Sequence, residues 1–165
     1  MSQTTSEHDL FLSLMESHQR MLFKVCWVYG ANQRDDLMQE IIVRLWGAFG
    51  RYDRNRKFST WMYRVSLNVA IDFRRRQQRW GRGAGLFDEA GAEAVATSAE
   101  EATKMQQLRE LHDLLEAQSD ADRALLLLYL EGNSYQEIGD VLGITETNVG
   151  TRLNRLKKSM RDAVS

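Results

Sequence analysis

The chain has no proline and a single cysteine, Cys26, among 165 residues. One thiol excludes an internal disulfide and a zinc site built on cysteines of one chain. The histidines His8, His18 and His112 are scattered without metal-ligand spacing, and no cofactor is expected. The longest apolar run, Ala124 to Leu130, is far shorter than the ~20 residues that cross a bilayer, so no membrane insertion is expected. The N-terminus lacks a basic stretch followed by an apolar one. No secretory signal is therefore visible, and the expected compartment is a reducing cytoplasm. The glycine-rich stretch Gly81-Arg82-Gly83-Ala84-Gly85 has neither a strand before it nor the Gly-Lys-Ser/Thr of a phosphate loop.

Charge of one sign is also missing overall, since the net is −1, but its distribution is uneven. Residues 51–82 carry ten Lys/Arg against Asp53 and Asp72, a net of +8. Residues 143–165 carry a net of +3, whereas 83–101 hold five acids and no base. Two basic blocks separated by an acidic spacer suggest two polyanion contacts on one chain.

What is present is helical periodicity. Leu10, Phe11, Leu14, His18, Met21, Leu22 and Val25 predict a first helix from about Glu7 to Tyr29. After a break at 30–33, Asp35 or Asp36 can cap a second helix with Leu37, Ile41, Leu45 and Phe49 on its apolar face. A polar loop follows, and Ser59 can cap a third helix reaching about Gln78. Residues 80–103 read as a flexible acidic linker, rich in Gly and Ala. Periodicity returns at Met105, Leu108, Leu111 and Leu115, and Ser119-Asp120 restarts it. The expected fold is all-α: two small helical domains, 1–79 and 104–165, on a tether.

Ser134-Tyr135-Gln136-Glu137 has the form of a capping box, Gly143 stops the helix it starts, and Thr145 can cap the next. Two short helices joined by a glycine turn, the second ending in basic residues, form a helix-turn-helix pattern. At about 100° per residue, Val149, Leu153, Leu156 and Met160 make a packed stripe on the last helix. Thr147, Thr151, Asn154 and Lys158 lie opposite it, flanked by Arg155 and Arg161. Hydroxyl, amide and basic groups are suited to reading base edges and gripping phosphates.

On the third helix the same projection gathers Arg64, Asn68, Asp72 and Arg75 beside an apolar arc of Phe58, Met62, Val65, Val69 and Phe73. Amide and carboxylate groups there can bond the edge of an unpaired base while arginines hold its backbone. Trp61 sits at the edge of this arc, where stacking on a base and packing in the core are both open. The second helix begins acidic with Asp35, Asp36 and Glu40; Gln39, Arg44 and Trp46 add polar and aromatic surface. That face either favours the helix dipole or docks a basic helical partner.

Asp36-Leu37-Met38-Gln39-Glu40, Phe58-Ser59-Thr60-Trp61-Met62-Tyr63-Arg64-Val65 with Asn68, Ser134-Tyr135-Gln136-Glu137-Ile138-Gly139 and Val149-Gly150-Thr151-Arg152-Leu153 together resemble bacterial RNA polymerase sigma factors. The resemblance is to the small extracytoplasmic-function class of the sigma-70 family, which keeps only the second and fourth sigma domains. It implies that Asp36, Gln39, Glu40 and Arg44 face the β′ clamp helices of core RNA polymerase, with the fourth domain on the β flap. It implies that Arg56, Lys57, Trp61, Arg64, Asn68, Asp72 and Arg75 capture the melted −10 element of promoter DNA. Thr147, Thr151, Arg152, Asn154, Arg155 and Lys158 would meet the −35 element as duplex, and many members have an anti-sigma partner. Gly150, where relatives often carry Lys or Arg, and Asn154, often a larger residue, depart from the family pattern.

Three other classes compete with this reading. An all-helical nucleotide hydrolase would hold Mg²⁺ on Asp35, Asp36 and Glu40. A conventional helix-turn-helix regulator would need a long dimer helix or a ligand domain. A helical adaptor would use its acidic helix and touch DNA weakly.

Overall fold

The computed structural model describes residues 2–80 and 98–165, so most of the expected linker, 81–97, lies outside the described residues. Among these residues the regular structure is entirely helical, with no strand. They fall into two compact units, one on each side of the undescribed stretch.

In the N-terminal unit, α1 (Ser2–Tyr29), α2 (Arg34–Phe49) and α3 (Phe58–Trp80) pack on one another. The expected stripe of α2 is the one buried: Leu37, Ile41 and Leu45 are fully enclosed, with Phe49 close to it. Leu22 and Val25 of α1 and Met62 of α3 are buried as well, in the same three-helix unit. Helix α3 buries more than the expected arc, adding Tyr63, Ser66, Leu67 and Ala70, because it packs against both α1 and α2.

Two expected caps are corrected. The cap position of α2 is Gln33, which makes no side-chain bond, and Asp35 and Asp36 lie inside the first turn. A short 3-10 turn, Ala31–Gln33, runs directly into α2 and leaves no extended residue to turn back onto the helix. The two carboxylates there still favour the positive end of the helix dipole. Similarly, α3 begins at Phe58, so Ser59 is within its first turn, and the Trp61 amide donates to the Lys57 carbonyl at 3.3 Å.

The C-terminal unit contains α4 (Ala99–Glu116), α5 (Asp120–Leu130), α6 (Tyr135–Leu142) and α7 (Glu146–Val164). Helix α4 starts inside the stretch expected to be linker. Ser98 caps it by accepting from the Glu101 amide at 3.2 Å, and Lys104 pairs with Glu100 at 2.9 Å. Weak apolar periodicity near Ala99 hides that start, which is set by a cap and an i,i+4 pair. Ser119 and Thr145 cap α5 and α7 as expected. The Ser134–Glu137 box is reciprocal: the Glu137 amide donates to Ser134 Oγ at 3.1 Å and the Ser134 amide to Glu137 Oε2 at 2.8 Å.

The turn between α6 and α7 depends on two glycines. Gly143 adopts the left-handed conformation at φ 70°, which side chains resist. A Cβ on Gly139 would fall 2.6 Å from the Ile144 carbonyl oxygen, so the turn closes only over a residue without one. Ala124, Leu125, Leu128, Ile138, Val149 and Leu153 form the core around it.

A charged side chain is also buried there. Arg123 is 1% exposed and donates to the carbonyls of Leu115 at 2.8 Å, Glu116 at 3.0 Å and Gln118 at 2.9 Å. It thereby satisfies the carbonyl end of α4 and fixes α4 to the start of α5. A lone arginine beside a leucine run gives no sequence signal for this role.

Candidate nucleic-acid interfaces

In the C-terminal unit, Thr147, Thr151, Asn154, Arg155 and Lys158 are exposed on α7, while Val149, Leu153 and Leu156 are buried on the other side. Thr151 Oγ1 donates to the Thr147 carbonyl at 3.0 Å, which orients its lone pairs outward for an incoming donor. The helix-turn-helix holds this polar and basic face outward on a single rigid element.

Arg152 differs from the other five residues expected on α7. Its Nη2 lies 2.8 Å from Asp122 Oδ1 of α5, and both side chains are half-buried. By helical projection it stands about 100° from Thr151, on the flank of the packed stripe and away from the middle of the exposed face. Its charge is thus offset by Asp122 in the free protein. On the other flank, Lys157 Nζ donates to the Tyr129 hydroxyl at 2.8 Å and lies 4.2 Å from the ring centroid. That hydrogen bond holds the Lys157 ammonium above its ordinary pKa. These two ties to α5, one on each flank, set the rotation of α7 about its axis.

Gly150 lies on the Lys157 side of α7, next to the exposed face and near the Tyr135 ring. A Cβ there would meet the Tyr135 ring at 3.4 and 3.6 Å, ordinary contact distances. Gly150→Ala is therefore expected to stabilise the C-terminal unit by about 0.5–1 kcal/mol through helix propensity. A raised urea midpoint would bear this out, whereas a lowered one would mean that the Tyr135 ring cannot yield.

In the N-terminal unit, Arg64, Asn68, Asp72 and Arg75 are exposed along α3. Asn68, Asp72 and Arg75 line an open groove between α2 and α3 together with Glu40, Arg44, Arg76 and Arg79. Val65 and Val69 line its apolar wall. Residues expected for two separate roles, Glu40 and Arg44 on one side and Asn68, Asp72 and Arg75 on the other, thus share one groove. Arg56, Lys57, Trp61 and Arg64 are not part of its lining.

The loop before α3 is closed on itself. Tyr52 donates its hydroxyl to the Arg56 carbonyl, the Asn55 amide donates to Asp53 Oδ1 at 3.0 Å, and Arg56 pairs with Asp53 at 3.8 Å. Trp61 is half-buried beneath it, with ring centroids 4.9 Å from Tyr52, 5.5 Å from Phe58 and 6.2 Å from Phe49. Its ring buttresses the loop from inside an aromatic cluster, the core alternative at this position. Arg56 and Lys57 are exposed on the loop.

On α2, Asp36, Gln39 and Arg44 are exposed, and Glu40 is ion-paired with Arg76 of α3. Beside them lies an apolar surface of which the sequence reading named only Trp46. Val43 is 71% exposed, and Ile42 and Trp46 are also exposed. Their only sequence signal is that Ile42 and Val43 fall off the Leu37–Ile41–Leu45 stripe. An apolar centre with a polar rim is the anatomy of a protein interface.

Asp35, Asp36 and Glu40 do not converge: among the described residues no three His, Cys, Asp or Glu side chains form a metal-holding group. Cys26 is buried, and burial pushes its thiol pKa up to about 11, so it stays protonated near neutral pH. Among the described residues no helix is long and apolar enough to cross a membrane.

Residues 14–80 match the model of Sigma-70 region 2, and residues 108–160 match that of Sigma-70, region 4. The chain is 26% identical to the ECF RNA polymerase sigma factor SigW of Bacillus subtilis, over 94% of this chain and 91% of that one. It is 27% identical to SigX of the same organism, over 93% of this chain and 82% of the relative. Its fold is similar to that of CnrH in complex with the cytosolic domain of CnrY, at a TM-score of 0.66 and 22% identity, covering 96% of this chain and 91% of CnrH. It is also similar to the sigma factor RpoE in complex with the anti-sigma factor NepR from Bartonella quintana, at a TM-score of 0.60 and 16% identity, covering 99% and 98%. With both region models matched in order, one on each helical unit, the chain belongs to the extracytoplasmic-function class of the sigma-70 family, the sigma factors that direct transcription initiation by RNA polymerase.

Proposed function

We propose that this sigma factor reads the −35 element as duplex through α7 and the −10 element as a melted strand through α3 and the loop before it. The observation that carries this is the pair of exposed polar and basic faces, one on each unit, each set on a rigid helix. Thr147, Thr151, Asn154, Arg155 and Lys158 would face the major groove, where hydroxyl, amide and guanidinium groups match base edges. Arg152, held by Asp122, would contribute a phosphate contact only after leaving that pair. Asn68 and Asp72 would bond an unstacked base, with Arg64, Arg75 and the loop residues Arg56 and Lys57 along its backbone.

On this reading, residues 1–79 dock on core polymerase through α2, with Asp36, Gln39, Glu40 and Arg44 around the Ile42–Val43–Trp46 surface meeting the β′ clamp helices. Residues 104–165 meet the β flap, and 80–103 join the two. Each DNA contact is small. The polymerase would set the spacing between them and convert two weak contacts into one strong one. The complex of RpoE with the anti-sigma factor NepR supports an anti-sigma partner for this chain as well. The role is regulatory rather than catalytic, and the site of action is the bacterial cytoplasm.

Mixing the purified chain with bacterial core RNA polymerase tests the proposal. Stable co-elution with promoter-selective transcripts from genomic fragments is expected. No association, together with tight binding of a palindromic duplex by the chain alone, would replace it with a conventional dimeric regulator.

A further inference from the structure

Glu40 of α2 reaches across to α3 and pairs with Arg76, joining the surface proposed for polymerase to the groove proposed for the −10 strand. We infer that Arg76 is a further backbone contact for the melted strand, and that Glu40 holds it in reserve until a partner docks on α2. This rests on the assignment of α2 and α3 just given.

Geometry places Arg76 for that role. It lines the groove with Asn68, Asp72, Arg75 and Arg79. Its Nε donates to the Asp72 carbonyl at 3.4 Å, and its guanidinium carbon lies 5.8 Å from the Phe73 ring centroid, so its stem is held along α3. The Glu40 carboxylate occupies the end of the guanidinium, where a phosphate would accept the same hydrogen bonds.

Exposure says what the pair is for. The Arg76 and Glu40 side chains are 49% and 33% exposed, a setting in which ion pairs add little to stability. The fold does not need the contact, yet a carboxylate inside a phosphate-binding groove repels the strand. A docking partner that supplies a base to Glu40 removes that repulsion and leaves Arg76 to the nucleic acid. The coupling is reciprocal: a strand that takes Arg76 frees Glu40 for the partner.

The test measures binding of the full-length chain to a labelled mixed-sequence single-stranded DNA oligonucleotide across a salt series. Glu40→Gln is expected to tighten binding roughly fivefold at low salt and to steepen the log–log salt slope by about 0.7, one phosphate contact. Glu16→Gln, an exposed acid on α1, controls for net charge and is expected to have a smaller effect. Arg76→Ala should abolish the gain of Glu40→Gln in the double variant. Equal tightening by Glu16→Gln and Glu40→Gln, or a gain that survives Arg76→Ala, overturns the inference. Co-elution of the wild type with core polymerase separates the two levels. If it co-elutes and Glu40→Gln changes nothing, this inference alone fails; if it neither co-elutes nor binds the strand, the functional reading fails with it.

Discussion

Arg123→Met is expected to cost the C-terminal unit about 3–5 kcal/mol, the range for removing one member of a buried charged network. The side chain is enclosed and bonds three carbonyls at the α4–α5 corner, with Asp120 at 3.6 Å. Methionine fills a similar volume but donates nothing, so those carbonyls lose their donor and the Asp120 carboxylate loses its counter-charge. A domain stable by about 5–15 kcal/mol loses much of its margin. The placement of tryptophan makes the result easy to read. Trp27, Trp46, Trp61 and Trp80 all belong to the N-terminal unit, so tryptophan fluorescence follows that unit while far-ultraviolet circular dichroism follows both. The variant should lose dichroism at lower urea than the wild type with its fluorescence transition unmoved. An unchanged dichroism midpoint would show that Arg123 is not what fixes the corner.

The second large effect concerns Asn68. Asn68→Ala is expected to lower open-complex formation about tenfold or more, the equivalent of losing one good base contact, and to leave polymerase binding intact. Asn68 is exposed on α3, so truncation removes a hydrogen-bonding amide without opening a cavity in the core. Strand-melting footprints report the first quantity and co-elution with core polymerase the second. Equal loss of both would mean that Asn68 supports docking rather than base capture.

Much of this was legible in the sequence because it is local. The caps at Ser119, Ser134 and Thr145 are each set by residues within three positions, and the buried stripes of α2 and α7 follow from the helical period. What escaped depends on partners far along the chain. The pairing of Arg152, a residue the resemblance places at the −35 element, with Asp122 depends on a residue thirty positions away, and that of Lys157 with Tyr129 on one almost as distant. Arg123 resembles a chance polar residue before a leucine run, because backbone carbonyls leave no trace in a residue pattern. Asp35 and Ser59 failed as caps because capping depends on the backbone of the preceding turn, which composition does not specify. The outward faces of α2, α3 and α7 were readable as surfaces. That Glu40 and Asn68 share a groove required the packing of α2 on α3.

On the proposed reading of the −35 element by α7, its paired ties also bear on the kinetics of promoter choice. Asp122 and Tyr129 grip α7 on both flanks, so its roll is settled before any partner arrives. Little conformational entropy is then left to lose at the moment of contact, and a mismatched base finds a surface that cannot adjust to it. Good and poor −35 sequences should be met at similar frequency and differ in residence time, with selectivity expressed mainly as a dissociation rate.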